Sequence, residues 1–123
     1  SKGMRKRVAM GAALIHRPKL FLMDEPFEGV DAVGARLMKD LLLDLVRQGA
    51  TIFLTSHVLE VVERLCDRIA IIHEGRLVAE GTLDELRQKA SAPDEDSRPA
   101  TLEDLFVRTV GEHNRGAGDL SWL

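Results

Sequence analysis

Tyrosine is absent from this chain, and four Phe and one Trp supply all of its aromatic surface. Cysteine is nearly absent: Cys66 stands alone, which excludes an internal disulfide and suits a reducing cytosol. The longest uncharged apolar run, Val8 to Ile15, has eight residues, far short of the ~20 that a membrane-spanning helix needs. Basic charge is not in excess either. A formal net charge of -3 argues against a dedicated nucleic-acid binder, with Lys2, Arg5, Lys6 and Arg7 as a local exception. The chain shows no internal repeat and no metal-ligand cluster of Cys and His. It opens on Ser1-Lys2-Gly3-Met4 without an initiator Met, so a processed start or a piece of a longer protein is expected. What is present is 123 residues with 45% hydrophobic and 30% charged composition, the balance of an ordinary soluble protein. That length fits one domain able to bury about two thirds of its surface.

The stretch Leu20-Phe21-Leu22-Met23-Asp24-Glu25-Pro26 organises the rest. Consecutive apolar residues cannot all face one side of a half-exposed strand, so the run predicts a strand buried on both faces, as in a parallel sheet. Two adjacent carboxylates close it and Pro26 stops it. Side chains of neighbouring strand residues point to opposite faces, so Asp24 and Glu25 share one rim but address different things. Ligands collect outside the carboxyl ends of strands in open parallel sheets, which suits a metal ligand beside a catalytic base.

Before this strand, residues 3–16 read as a helix whose apolar stripe is Met4, Val8, Gly11 or Ala12, and Ile15. Its first turns are crowded with basic residues, which oppose the macrodipole unless an anion sits there. Ser1 in the capping position and Gly3, which allows close approach, leave the backbone amides of a phosphate site available. After the strand, Phe27 to Ala32 forms a loop with Gly29 at a sharp turn and Asp31 capping the next helix. That helix runs from Ala32 to Gln48, with Val33, Leu37, Leu41 and Leu45 as one row, Met38 and Leu42 as a second, and Gly49 as its stop. Residues 51–55 form a second apolar strand ending in Ser56-His57. Strand, helix, strand makes a parallel unit, so His57 is carried to the rim that holds Asp24 and Glu25.

Residues 58–66 predict an amphipathic helix in which Cys66 is a small buried hydrophobe. Residues 68–73 and 76–80 predict two strands joined at Glu74-Gly75 into a hairpin that Gly81 ends. Thr82-Leu83-Asp84-Glu85 is a capping box starting a helix to Ala90. Residues 91–100 contain almost nothing to bury and read as a linker. Thr101 to Asp104 starts another short helix with Leu102, Leu105, Phe106 and Val110 as its apolar side, followed from Gly111 by a flexible tail in which Trp122 needs a partner surface or stays mobile.

In this order the pieces strongly resemble the C-terminal half of an ATP-binding cassette (ABC) nucleotide-binding domain, over residues 1–90. Ser1-Lys2-Gly3-Met4 is similar to the signature motif without its leading residue, in a form frequent in bacterial export systems. Leu20 to Glu25 resemble the Walker B strand, Glu28-Gly29-Val30-Asp31 the D-loop, and His57 the switch histidine. The resemblance implies an α/β fold: a partial P-loop NTPase (RecA-like) parallel sheet with flanking helices and a C-terminal hairpin, lacking the phosphate-loop strand. It implies ATP and Mg²⁺ as cofactors, with Asp24 holding the Mg²⁺, Glu25 as the base polarising the attacking water, and His57 reaching the γ-phosphate. Ser1, Lys2, Gly3 and Met4 would contact ATP held by a second nucleotide-binding domain in a head-to-tail dimer, and Asp31 would lie at that interface. A transmembrane permease, fused or separate, would be the other partner, with the protein cytoplasmic and peripheral on the inner face of the membrane; no nucleic acid is expected. Met4 replaces the Gln of many members and Ala32 the Pro, which affects fine geometry more than charge.

One absence limits what the chain can do alone. It has no Gly-x-x-x-x-Gly-Lys-Ser/Thr, so the loop that cradles phosphates is missing. The adenine-stacking aromatic and the Gln loop, which the family places upstream, are missing too. The isolated piece is therefore expected to bind ATP poorly and hydrolyse none. In the family the missing strand lies between residues 51–55 and 68–73, so unpaired strand edges, exposed apolar surface and aggregation are expected. The competing readings are a non-transport ABC ATPase, in DNA repair or as a translation factor, and a non-catalytic fragment. The absence of sustained heptads counts against the repair class, and the retained Glu25 and His57 against the fragment.

Overall fold

Ser1 caps a helix, its hydroxyl accepting the Met4 N–H at 3.3 Å, and α1 follows over Lys2–Leu14. The structure, a computed structural model, describes residues 1–90 and 98–118. Most of the expected linker, and Trp122, lie outside the described residues. The chain divides into two compact units, Ser1–His57 and Val58–Leu123.

In the first unit, β1 (Leu20–Asp24) is followed by α2 (Ala32–Arg47) and β2 (Thr51–Thr55). The strands pair in parallel, Leu20 opposite Thr51 through to Asp24 opposite Thr55, as the strand-helix-strand order requires. Among the described residues β2 pairs with β1 alone. Asp31 caps α2 by accepting the Gly34 N–H at 2.9 Å, and Gly49, with φ of 98°, turns the chain at its end.

Two expectations about burial need correction here. The first strand is not buried on both faces: Phe21 is 4% exposed, but Leu22 is 74% exposed and its partner Phe53 62%. The helices cover only one side of a two-stranded sheet, so burial alternates along β1 with the strand's period of two. Likewise Met4, Val8 and Ile15 of α1 all face outward. Lys6, Ala9, Met10 and Ala13 of α1, with Phe21 and Met38, line a cleft of about 290 Å³; of these four, Lys6 and Met10 are half-buried and the two alanines exposed. Spacing marks the larger apolar residues as the stripe, but the less exposed line along α1 is Gly3, Lys6, Met10 and Leu14. In α2 the second row, Met38 and Leu42, is buried together with Gly34, while Val33 and Leu37 are exposed.

The second unit is a hairpin covered by helices. β3 (Ile69–His73) and β4 (Arg76–Gly81) are antiparallel, with a bulge between Ile71 and Ile72. Glu74 and Gly75 take φ of 49° and 73°, as a two-residue turn matching the strand twist requires. α3 (Leu59–Leu65), α4 (Leu83–Lys89) and α5 (Leu102–Gly118) supply the cover. Their core is Ile69, Ile71, Leu86, Leu102 and Leu105. Cys66 packs against it, and burial pushes its thiol pKa up, as expected of a structural cysteine. Thr82 caps α4 by accepting the Glu85 N–H at 3.1 Å. Thr101 and Asp104 cap α5 reciprocally, at 3.0 and 3.2 Å.

The expected short helix with a tail from Gly111 is instead one helix of 17 residues. A glycine costs a helix about 1 kcal/mol. Contacts beyond it offset that cost: the His113 ring lies edge-on to His73 with centroids 5.9 Å apart, and Asn114 meets His73 at 3.2 Å.

Candidate functional site

Because β1 and β2 are parallel and in register, the residues just past them emerge at one rim. There His57 Nδ1 lies 2.8 Å from Glu25 Oε1. The carboxylate is the more sheltered partner, at 26% exposure against 69% for the imidazole. The hydrogen bond to Glu25 raises the His57 pKa above its ordinary 6.5, its negative charge adds to this, and the charge of Glu28 contributes less. The backbone of Glu25 is held as firmly as its side chain. Its N–H donates to the Thr55 carbonyl at 3.0 Å and reaches the Thr55 hydroxyl at 3.2 Å. Its φ is +46°, a left-handed conformation that costs an L-residue roughly 1–2 kcal/mol. Such strain persists only where the surroundings over-determine it.

Asp24 stands beside this pair with its carboxylate exposed and Oδ1 accepting from the Thr55 hydroxyl. The Asp24 carboxylate supplies hard oxygen donors, the kind Mg²⁺ takes when water and phosphate oxygens complete its shell. Among the described residues no three acidic, His or Cys side chains cluster as an all-protein metal cage. The donor set therefore fits a cation held jointly with a phosphate.

The start of α1 forms a second group at the loop after β1. Lys2 pairs with Glu28 at 3.9 Å, and Arg7 with Asp31 at 3.5 Å. Gly3 approaches the Gly29 carbonyl so closely that a Cβ there would stand 3.3 Å from it. Gly29 itself, with φ of 71°, needs the left-handed freedom of glycine. Lys2 and Gly3 thus meet the loop of residues 26–31, which Asp31 ends, while Ser1 caps the helix, Met4 is exposed, and Glu25 and His57 form their own pair. Gly34 is buried beneath the Arg7–Asp31 pair.

One residue ties the two groups together, and sequence reasoning missed it. The Lys6 ammonium donates to the Glu25 carbonyl. In the sequence it stands within the basic cluster of Lys2, Arg5, Lys6 and Arg7. Its spacing from Met10 and Ala13 places it on the inner face of the helix, a signal masked by the larger residues at 4, 8 and 15.

Parallel strands ending in Asp-Glu and Ser-His, with a capped helix start and a glycine turn beside them, make an α/β rim of the kind at which ligands collect, and the solved structures that share this arrangement are ATP-binding domains of the P-loop NTPase class. The chain is 51% identical over 86 residues to an uncharacterised ABC transporter ATP-binding protein of Nostoc sp., covering 70% of this chain and 26% of that one. It is 45% identical over 87 residues to a fluoroquinolones export ATP-binding protein of Mycobacterium tuberculosis, covering 71% and 29%. It is also 34% identical to the ABC-type transporter ATP-binding protein EcsA of Bacillus subtilis over 112 residues, 91% of this chain and 43% of EcsA. That last match runs past the residues 1–90 over which the motifs lie. A solved structure of the ATP-binding subunit of an ABC transporter superposes with a TM-score of 0.79 at 35% identity, covering 89% of this chain and 44% of that one. No family model matches. The chain belongs to the ABC transporter ATP-binding proteins and spans between about a quarter and two fifths of the length of these curated relatives.

Proposed function

We propose that these residues are the hydrolytic half of an ABC ATPase, in which Glu25 and His57 act on ATP whose phosphates another segment cradles. The observation that carries this is the 2.8 Å contact between Glu25 and His57 at the rim where Asp24 also ends its strand. Glu25 accepts a proton from the attacking water as the water oxygen bonds to the γ-phosphorus and the bond to the ADP oxygen breaks. His57, held by Glu25, donates toward a γ-phosphate oxygen and fixes the in-line geometry. Asp24 would hold Mg²⁺ through water, and the chemistry supplied there would be neutralisation of charge on the phosphate oxygens. Ser1, Lys2, Gly3 and Met4 bind the γ-phosphate of ATP carried by a second, head-to-tail nucleotide-binding domain, with Asp31 at the dimer interface. The exposed basic residues Lys2, Arg5 and Arg7 at the start of α1 support that role.

We also propose a permease as further partner and a place on the cytoplasmic face of a membrane; the relatives' names support a part in transport, with export among the possible directions. Among the described residues no helix is long and apolar enough to cross a membrane. We further propose residues 1–90 as the cassette portion, 91–100 as a linker and 101–123 as an appended helical segment. The chain alone is expected to be inactive, because its sequence holds no Gly-x-x-x-x-Gly-Lys-Ser/Thr loop to cradle the triphosphate.

The test measures phosphate release by this chain alone and after joining it to a phosphate-loop half-domain from a relative. The chain alone should show none. In the joined protein Glu25→Gln should lower turnover by about 10²–10⁴ with ATP binding retained. Turnover by the chain alone, or full turnover in the variant, would sink the reading.

A further inference from the structure

Three observations converge on the Glu25 carbonyl. Glu25 holds a left-handed backbone that a glutamate adopts only under constraint. Its carbonyl closes the following turn by accepting the Glu28 N–H at 3.2 Å, and it accepts the Lys6 ammonium as well. Lys6 is also unlike its basic neighbours. Lys2, Arg5 and Arg7 are exposed, whereas Lys6 is half-buried on the inner side of α1, in a cleft walled by Ala9, Met10 and Phe21. Lys2 and Arg7 make ion pairs with carboxylates; Lys6 is directed to a backbone oxygen.

We infer that Lys6 is a positioning residue: its ammonium pins the Glu25 carbonyl, locks the left-handed turn, and so keeps the Glu25 carboxylate aimed at His57. Rotation of Glu25 out of that conformation would swing its side chain away from the imidazole. The helix whose first turn is proposed to meet a nucleotide therefore grips the backbone of the proposed base, and a shift of α1 would reach Glu25 through this one contact. The catalytic consequence rests on the function proposed above; the positional claim does not.

The two effects of removing Lys6 have opposite signs, which makes the test sharp. Loss of a nearby positive charge raises an imidazole pKa, whereas loss of the Glu25 contact lowers it toward 6.5. Glu25 and Glu28 are the acidic groups acting on His57. NMR titration of His57 in the full chain should show its midpoint falling in Lys6→Met, as in Glu25→Gln, and restored in Lys6→Arg. An unchanged or raised midpoint in Lys6→Met overturns the inference. A midpoint that fails to fall in Glu25→Gln would instead sink the Glu25–His57 pair and leave the role of Lys6 to the second measurement. That measurement needs no variant: a scalar coupling across the hydrogen bond between Lys6 Nζ and the Glu25 carbonyl carbon is expected in the wild type. Its absence also overturns the inference, including where Lys6→Met fails to fold.

Discussion

Leu102 and Leu105, in the unit that begins at Val58, are each 1% exposed and sit in a core closed by three helices and a hairpin. In the unit that ends at His57, the apolar residues Leu22, Phe53, Val33 and Leu37 are all more than half exposed. Yet the latter unit carries Asp24, Glu25 and His57, and the former carries none of the proposed chemistry. Burial holds one unit together, and directed hydrogen bonds at an open rim hold the site in the other. The difference teaches that a site can be assembled by register and capping before the surface around it is closed.

The contrast can be broken by mutation. Leu105→Ala removes a fully buried side chain and should cost about 2–5 kcal/mol in chemical denaturation; a loss below about 1 kcal/mol would mean that this core is not what stabilises its unit. Helix caps should treat the two units alike. Asp31→Ala and Thr82→Ala each remove a side-chain acceptor from a helix start, and each should lose about 1 kcal/mol. A markedly larger loss for Asp31→Ala would show that its pairing with Arg7 adds to the cap.

A smaller effect is tied to pH. The folded pKa of His57 is raised, so its pair with Glu25 stabilises fully below the ordinary value of 6.5, and that contribution is lost as pH rises through the folded pKa. The stability gap between wild type and His57→Gln should therefore close on the alkaline side; a gap that widens there would contradict the pairing. The smallest effect belongs to the open sheet face. Leu22→Thr should change stability by no more than about 0.5 kcal/mol while reducing self-association in light scattering, because Leu22 is 74% exposed.

Much of this was legible in the order of residues, because the signals are local. Turn glycines, caps at Ser1, Asp31, Thr82 and Thr101, and the Glu74-Gly75 hairpin depend on neighbours within a few positions. The approach of His57 to Glu25 was legible for a different reason: two parallel strands joined through a helix must finish at one rim. Choices that depend on distant packing were not legible. Periodicity identified two apolar rows on α2 but could not say that Met38 and Leu42, not Val33 and Leu37, would be covered. It also favoured Met4 and Val8 over the less exposed line of Gly3, Lys6, Met10 and Leu14 on α1, and so passed over Lys6. The helix through Gly111 depends on His73, some forty positions earlier, which no local propensity contains.

Gly34 stands in the first turns of α2, where alanine would ordinarily be the better helix former by about 1 kcal/mol. A β-carbon at this position would fall 2.6 Å from Asp31 Oδ1 and 2.9 Å from a Val30 methyl, and onto the Arg7 guanidinium. The one substitution that helix propensity recommends would thus wedge apart the cap and the cation that tie the loop to its neighbouring helix. A side chain at position 34 therefore displaces the Asp31 cap and the Val30 methyl as well as the more easily moved end of Arg7.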